Sequence, residues 1–415
     1  MDALNLGLAF VGGLIFVLGL LSSPVDRSWL SPPMLAFLLG VLIGPEGLVL
    51  LEPAKWGNPE HLLEQAARLT LGISLMGIAL RLPARYPFKH WRSLAILLGV
   101  GMPAMWLIGS LLSLWCLGLP LIVALLVGAC VSPTDPVIAS SIVTGGVAKK
   151  HLPADFRHLL SSESGANDGL AYPLVFLPIL LLTEATAAAW QEWLTKVWLW
   201  EIGGSVLVGA VLGWLGGQAL RWAENRSYLA QPSFLAISLS LTLLVLGVGK
   251  LLGTDSILAV FVAGVAFDQV IGGKQRSEED HVQDAINMFF TLPVFVLFGL
   301  IAPWQDWLAL GWQGLALVVL VLLLRRLPVI LLLRSQLPPV RKKPISRVMG
   351  WFGPIGVSAL FYAALAARET GNHQIWVVAS LVVLGSIIVH GITAAPFARL
   401  YYRRARQPIP GGDEG

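Results

Sequence analysis

SESGANDG, from Ser162 to Gly169, and SPTDP, from Ser132 to Pro136, decide how this chain folds. Both are polar islands inside runs otherwise apolar enough to sit in lipid. Charged and amide side chains at bilayer depth are costly, so they mark function and face a protein interior or a wet cavity. At helical spacing Glu163 and Asn167 share one face, and Ser164 and Asp168 form a second i,i+4 pair beside it. Two carboxylates, an amide and the hydroxyls of Ser162 and Ser164 thus project into a narrow arc. Hard cations such as Na+ take oxygen ligands of this kind. One carboxylate that holds either a proton or a metal ion is the minimum chemistry of an exchanger, and Asp168 is the residue placed to do it.

The composition agrees with a lipid setting. Of 415 residues, 56% are hydrophobic and 13% charged, against about 25% charged in soluble domains. Thirteen apolar runs of spanning length fall near 5–22, 33–51, 65–82, 93–116, 119–145, 157–183, 197–220, 232–250, 255–271, 284–303, 309–333, 346–367 and 375–398. The loops between them divide the basic residues sharply. Twenty-one of the 28 Lys and Arg residues fall on one side, including Arg81 to Arg92, Arg341 to Arg347 and Arg399 to Arg406. The other side has Lys55, Lys196, Lys250 and Arg368, with Arg68 at a span's edge. By the positive-inside rule the rich side is cytoplasmic, so the N-terminus is expected outside and the C-terminus inside. The start, MDALN, has no basic region, so the first run reads as a retained span rather than a signal peptide. Residues 401–415 read as a short cytoplasmic tail. Tryptophans gather at span ends, as interfacial anchors do.

The net charge of +4 lies in these loops and calls for no nucleic-acid partner. Cys116 and Cys130 give neither a metal spacing nor a disulfide framework, and no cofactor motif is present. His151, His158, His281 and His373 fall at span ends or in loops and read as surface residues.

Two spans are interrupted. Pro133 and Pro136 flank Thr134-Asp135 in the fifth and force an unwound stretch. The twelfth has Gly350, Gly353, Pro354 and Gly356 in GWFGPIG. Seven spans apart, the two cross the bilayer in opposite directions, the pattern of inverted repeats around a transporter's binding site. Gly and Pro are also frequent in membrane helices generally. The eleventh span carries Arg325 and Arg326. Either an intramembrane Arg pairs with a carboxylate such as Glu163, or the span ends at Pro328 and both arginines snorkel to the surface.

With TDP in one span, ESGAND in the next and a basic pair on the eleventh, the chain resembles the monovalent cation:proton antiporters, in the branch with an Asn-Asp pair. SILAVFVAGVAF, Ser256 to Phe267, is similar to that family's ninth span. The resemblance implies an all-α polytopic membrane protein of about thirteen helices in two inverted repeats with crossed broken helices. It implies a mobile core over about 93–183 and 309–398, and a dimerising scaffold over about 5–82 and 197–303. The core would slide in an elevator-like motion. Asp168 would carry the ion or the proton, with Asn167 as its partner and Ser164 and the Thr134 backbone as cation ligands. Asp135 would offset the helix-end dipoles of the broken fifth span. Glu163 would pair with the eleventh-span arginine, which the family pattern puts at Arg325, with Arg326 as the fallback. Many relatives have Arg where this chain has Ile355.

The expected activity is therefore antiport of a monovalent cation, Na+ first and Li+ or K+ as alternatives, against a proton in the plasma (inner) membrane, serving pH homeostasis. Relatives with Asp-Asp are associated with net charge movement. Asn167 cannot carry a proton, so one-for-one, electrically silent exchange is expected here. The rival readings are a passive cation channel and an intramembrane aspartyl protease using Asp135 and Asp168 as a dyad.

Overall fold

Each of the thirteen apolar runs finds a helix in the computed structural model, which describes residues 2–21, 25, 30–83, 85–135, 152–228, 234–272 and 276–406. The helices are α1 (Asp2–Leu20), α2 (Pro32–Ile43), α3 (Pro59–Arg81), α4 (Trp91–Leu117), α5 (Leu121–Cys130), α6 (Ala154–Thr183), α7 (Thr186–Asn225), α8 (Phe234–Leu251), α9 (Ser256–Ile271) and α10 (Arg276–Leu300). The eleventh run divides into α11 (Gly311–Leu324) and α12 (Leu327–Leu333), and the twelfth into α13 (Lys343–Trp351) and α14 (Val357–Thr370). The long α15 (His373–Arg406) follows. Among the described residues there is no strand. Six helical stretches there, α4, α6, α7, α8, the α11–α12 pair and α15, are long and apolar enough to cross a membrane. The rest of the fifth predicted span, 136–145 with Pro136, lies outside the described residues, as do Lys149, Lys150, His151 and the tail from 407.

Local chemistry sets the ends. Asn58 caps α3 by accepting the His61 N–H at 3.0 Å, with Pro59 at the first helical position, where no N–H is needed. Asp255 caps α9 through the N–H groups of Ile257 (3.1 Å) and Leu258 (3.3 Å). Gly272 ends that helix in the left-handed conformation at φ 74°. Large apolar side chains cover the outside, with Trp115, Leu308 and Leu332 each 79% exposed. A water-soluble protein would bury such groups; a lipid-facing surface requires them.

α7 runs along α9, and α2 along α10, while α4, α5 and α6 pack with α11, α14 and α15. α3 borders both groups, touching α9 and α10 on one flank and α14 on another. α6 has 30 residues, about 45 Å at 1.5 Å per residue, and holds its polar island in the buried middle. Gly165 and Gly169 let it approach α9 closely: a Cβ at Gly169 would stand 2.6 Å from the Leu258 Cβ and 2.8 Å from its Cα.

Candidate cation site at the paired breaks

α5 stops at Cys130, and residues 131–135 continue outside any helix; residues 352–356 do the same between α13 and α14. The two unwound stretches meet. The Asp135 N–H donates to the Pro354 carbonyl at 2.8 Å. The Asp135 carboxylate accepts the Val357 N–H at 2.6 Å, at the first residue of α14. The residue before it, Gly356, has no side chain to serve as a cap. Asp135 therefore supplies from another span the acceptor and negative charge that a helix N-terminus lacks. Among the described residues the helix end it offsets belongs to the twelfth span; the second half of the fifth span, to which the resemblance pointed, lies outside them.

Arg325 serves the opposite polarity. Its guanidinium donates to the carbonyls of Val131, Ser132 at 3.0 Å and Pro133 at 3.3 Å, and to Gly353 at 2.5 Å. These carbonyls follow the C-terminal ends of α5 and α13, where a cation is favoured.

The Glu163 partner is thus Arg326, correcting the pairing with Arg325. Arg326 Nη1 and Nη2 each donate to one Glu163 oxygen at 2.6 Å, and its Nε donates to the Met349 carbonyl at 3.0 Å. Pro328 explains the register. It cannot donate an N–H, and its ring would strike the Leu324 carbonyl in a continuous helix. The chain breaks at Arg325-Arg326, and the two side chains leave toward different neighbours. Each is 2% exposed, so neither snorkels. Gly353 makes the room: a Cβ there would lie 2.1 Å from the Arg326 Cδ.

On α6, Asn167 clamps the fifth-span break. Its Oδ1 accepts the Thr134 N–H at 3.2 Å, and its Nδ2 donates to Thr134 Oγ1 at 2.8 Å. Thr134 Oγ1 lies 3.0 Å from Ser164 Oγ. With one lone pair taken by the amide, the threonine hydroxyl keeps a second lone pair and its proton, so either hydroxyl can donate in this pair. The Asp168 carboxylate differs. The residue is completely buried, and neither oxygen has a hydrogen-bond partner among the described residues. The Ser358 hydroxyl is near enough to act on it, yet also makes no hydrogen bond there. Buried polar atoms are nearly always paired. Asp168 thus holds two acceptor oxygens without a donor among the described residues, one helical turn from Ser164.

Sequence reasoning missed three participants. Tyr362 of α14 donates its hydroxyl to the Asp168 carbonyl at 2.6 Å, fixing α6 at that residue. Ser386 of α15 accepts the Ile355 N–H at 2.7 Å. Buried His390 lies 3.1 Å from Ser386 Oγ and, through Nε2, 3.0 Å from the Trp351 carbonyl. The i,i+4 spacing of Ser386 and His390 was the available signal. The His158 ring lies 5.3 Å from that of Tyr86, tilted by 58°, and His373 is exposed and faces Glu60 and Asp306.

A family model described as "Sodium/hydrogen exchanger, transmembrane" matches residues 11–400. The chain belongs to the sodium/hydrogen exchanger family. It is thus an integral membrane protein of a transporter family and not an enzyme. "Na(+)/H(+) antiporter 2" of Zygosaccharomyces rouxii is 34% identical over 89% of this exchanger-family chain and 50% of its own length. The chain spans about half the length of several yeast relatives, this one included. "K(+)/H(+) antiporter NhaP2" of a Shewanella strain is 27% identical over 96% of this chain and 68% of its own. The solved structure of the sodium proton antiporter MjNhaP1 from Methanocaldococcus jannaschii at pH 8 superposes with a TM-score of 0.74. It is 17% identical and covers 97% of this chain and 99% of that one, a likeness of fold.

Proposed function

We propose that this protein exchanges a monovalent cation, Na+ first, for a proton at Asp168. The observation that carries this reading is the fully buried carboxylate with neither oxygen hydrogen-bonded among the described residues. A cation there would find Asp168 with Ser164 and Thr134 as neighbouring oxygen donors. Asn167 acts as the clamp that holds Thr134 in place. Proton and cation compete for one carboxylate, which is the coupling. The relatives named for Na+ and for K+ leave Na+, Li+ and K+ as the set to compare.

The proposed mobile core comprises 93–183 and 309–398, and the proposed scaffold 5–82 and 197–303. The core carries Asp168 across by an elevator-like slide, and two copies pair through the scaffold. The setting is the plasma (inner) membrane, N-terminus outside and C-terminus inside, from the uneven Lys and Arg of the loops. Against the protease reading stands the Asp135 carboxylate, bonded to the Val357 N–H rather than sharing a proton with Asp168. Proteoliposomes loaded with a pH-sensitive dye test the proposal when NaCl, LiCl and KCl are added in turn. Antiport predicts alkalinisation or acidification that follows the cation gradient and saturates. Cation flux with no counter-moving proton would instead indicate a channel.

A further inference from the structure

We infer that Glu64 and Arg368 form a latch between the two proposed bodies, closed in this structure and opened during the transport cycle. The inference rests on the proposed reading of α3 as scaffold and α14 as moving core. Glu64 is 4% exposed and lies near the start of α3. Arg368, in the last turn of α14, grips it at two points: Nε to Oε2 at 2.9 Å and Nη2 to Oε1 at 3.0 Å. The third nitrogen, Nη1, holds Glu369 at 2.7 Å. A second strut stands beside it. His373, at the start of α15, is 3.2 Å from Glu60 of α3 and 3.7 Å from Asp306 of the short helix Trp304–Ala309. Both struts lie at the face poor in Lys and Arg.

The two helices pack on each other, and several buried residues of each are small, among them Ala67 and Ser74 of α3 and Ala359, Ala363 and Ala366 of α14. The bidentate pair is the strong directional tie between them, because charge-assisted forks are strict in geometry. A slide of one helical turn, about 5.4 Å, would carry Arg368 beyond reach of Glu64. It would leave a buried carboxylate without its partner, so the pair holds the protein in this state.

The test links the two positions. In a background with Cys116→Ser and Cys130→Ser, Glu64→Cys and Arg368→Cys are joined by a bifunctional thiosulfonate long enough to replace a Glu–Arg pair. Linking is expected to lower sodium-driven proton flux at least tenfold, and a reducing agent to restore it. Linked protein that transports at the unlinked rate would overturn the latch. Independently, Glu64→Gln and Arg368→Gln should each change turnover or apparent Na+ affinity at least threefold. The reversal Glu64→Arg with Arg368→Glu should bring the value back toward wild type. Unchanged kinetics in both single variants would also overturn it. Wild-type vesicles without any cation-driven proton flux would count against the exchange reading itself, a separate result from loss on linking.

Discussion

The amide of Asn167 and the carboxylate of Asp168 leave α6 about 100° apart, so the amide bonds Thr134 while the carboxylate keeps both oxygens without a hydrogen bond among the described residues. Asn167 bonds Thr134 through both its oxygen and its nitrogen, which makes it a clamp. A second engaged group is Glu163, whose two oxygens are both held by Arg326. Removing one partner of such a buried pair strands a charge and should cost about 3–5 kcal/mol. Glu163→Gln and Arg326→Ala should each lower the melting temperature in detergent, and the double variant should lose less than the sum. The same cycle with Arg325→Ala should be near additive. A coupling energy with Arg325 larger than that with Arg326 would contradict the assignment. Asp168, Asn167, Ser164, Thr134 and Glu163 were legible because helical spacing alone groups most of them on one helix. The choice between Arg325 and Arg326 was not. It depends on the direction in which a broken helix releases two consecutive side chains, and spacing carries no such information.

At the scale of elements, the breaks matter more than the helices. Among the described residues two helix C-termini and one N-terminus converge on unwound backbone, and Arg325 and Asp135 supply the opposite charges there. The prolines and glycines announced both breaks, and the apolar runs announced thirteen helices, since lipid leaves the backbone few other choices. What the pattern could not show was which charge serves which helix end, because that depends on how spans from distant parts of the chain cross. The spacing of Ser386 and His390 showed a shared face but not their role, because their bonds go to a neighbouring span's backbone. Gly353 gives a test at this scale. Gly353→Ala places a methyl 2.1 Å from the Arg326 Cδ and should cost about 1–3 kcal/mol as overpacking. The expected readout is a lower melting temperature, with most of the effect lost in an Arg326→Ala background. Full sensitivity in that background would show that the methyl clashes elsewhere.

For the whole molecule, the proposed account requires a single titrating group to cross with either a proton or a monovalent cation. Glu163 is neutralised by Arg326, and Asn167 cannot titrate. The moving body would then carry the same net charge in both directions. Exchange should be independent of membrane potential, although each unbalanced charge across 100 mV would be worth about 2.3 kcal/mol. A potassium gradient with valinomycin sets the potential in proteoliposomes. Sodium-driven proton flux should be equal at both signs of that potential. A flux that follows the sign would mean a second proton carrier, with Glu163 the first to examine.

The most direct measurement of the central claim is sodium-driven proton flux through Asp168→Asn in proteoliposomes, alongside wild type at matched protein density. The substitution keeps the shape of the side chain and removes its charge and its titration. The account predicts no cation-coupled proton movement in the variant at any pH tested, with the protein still folded by its melting curve. Flux at more than a small fraction of wild type would contradict it, and would move the exchange site away from Asp168.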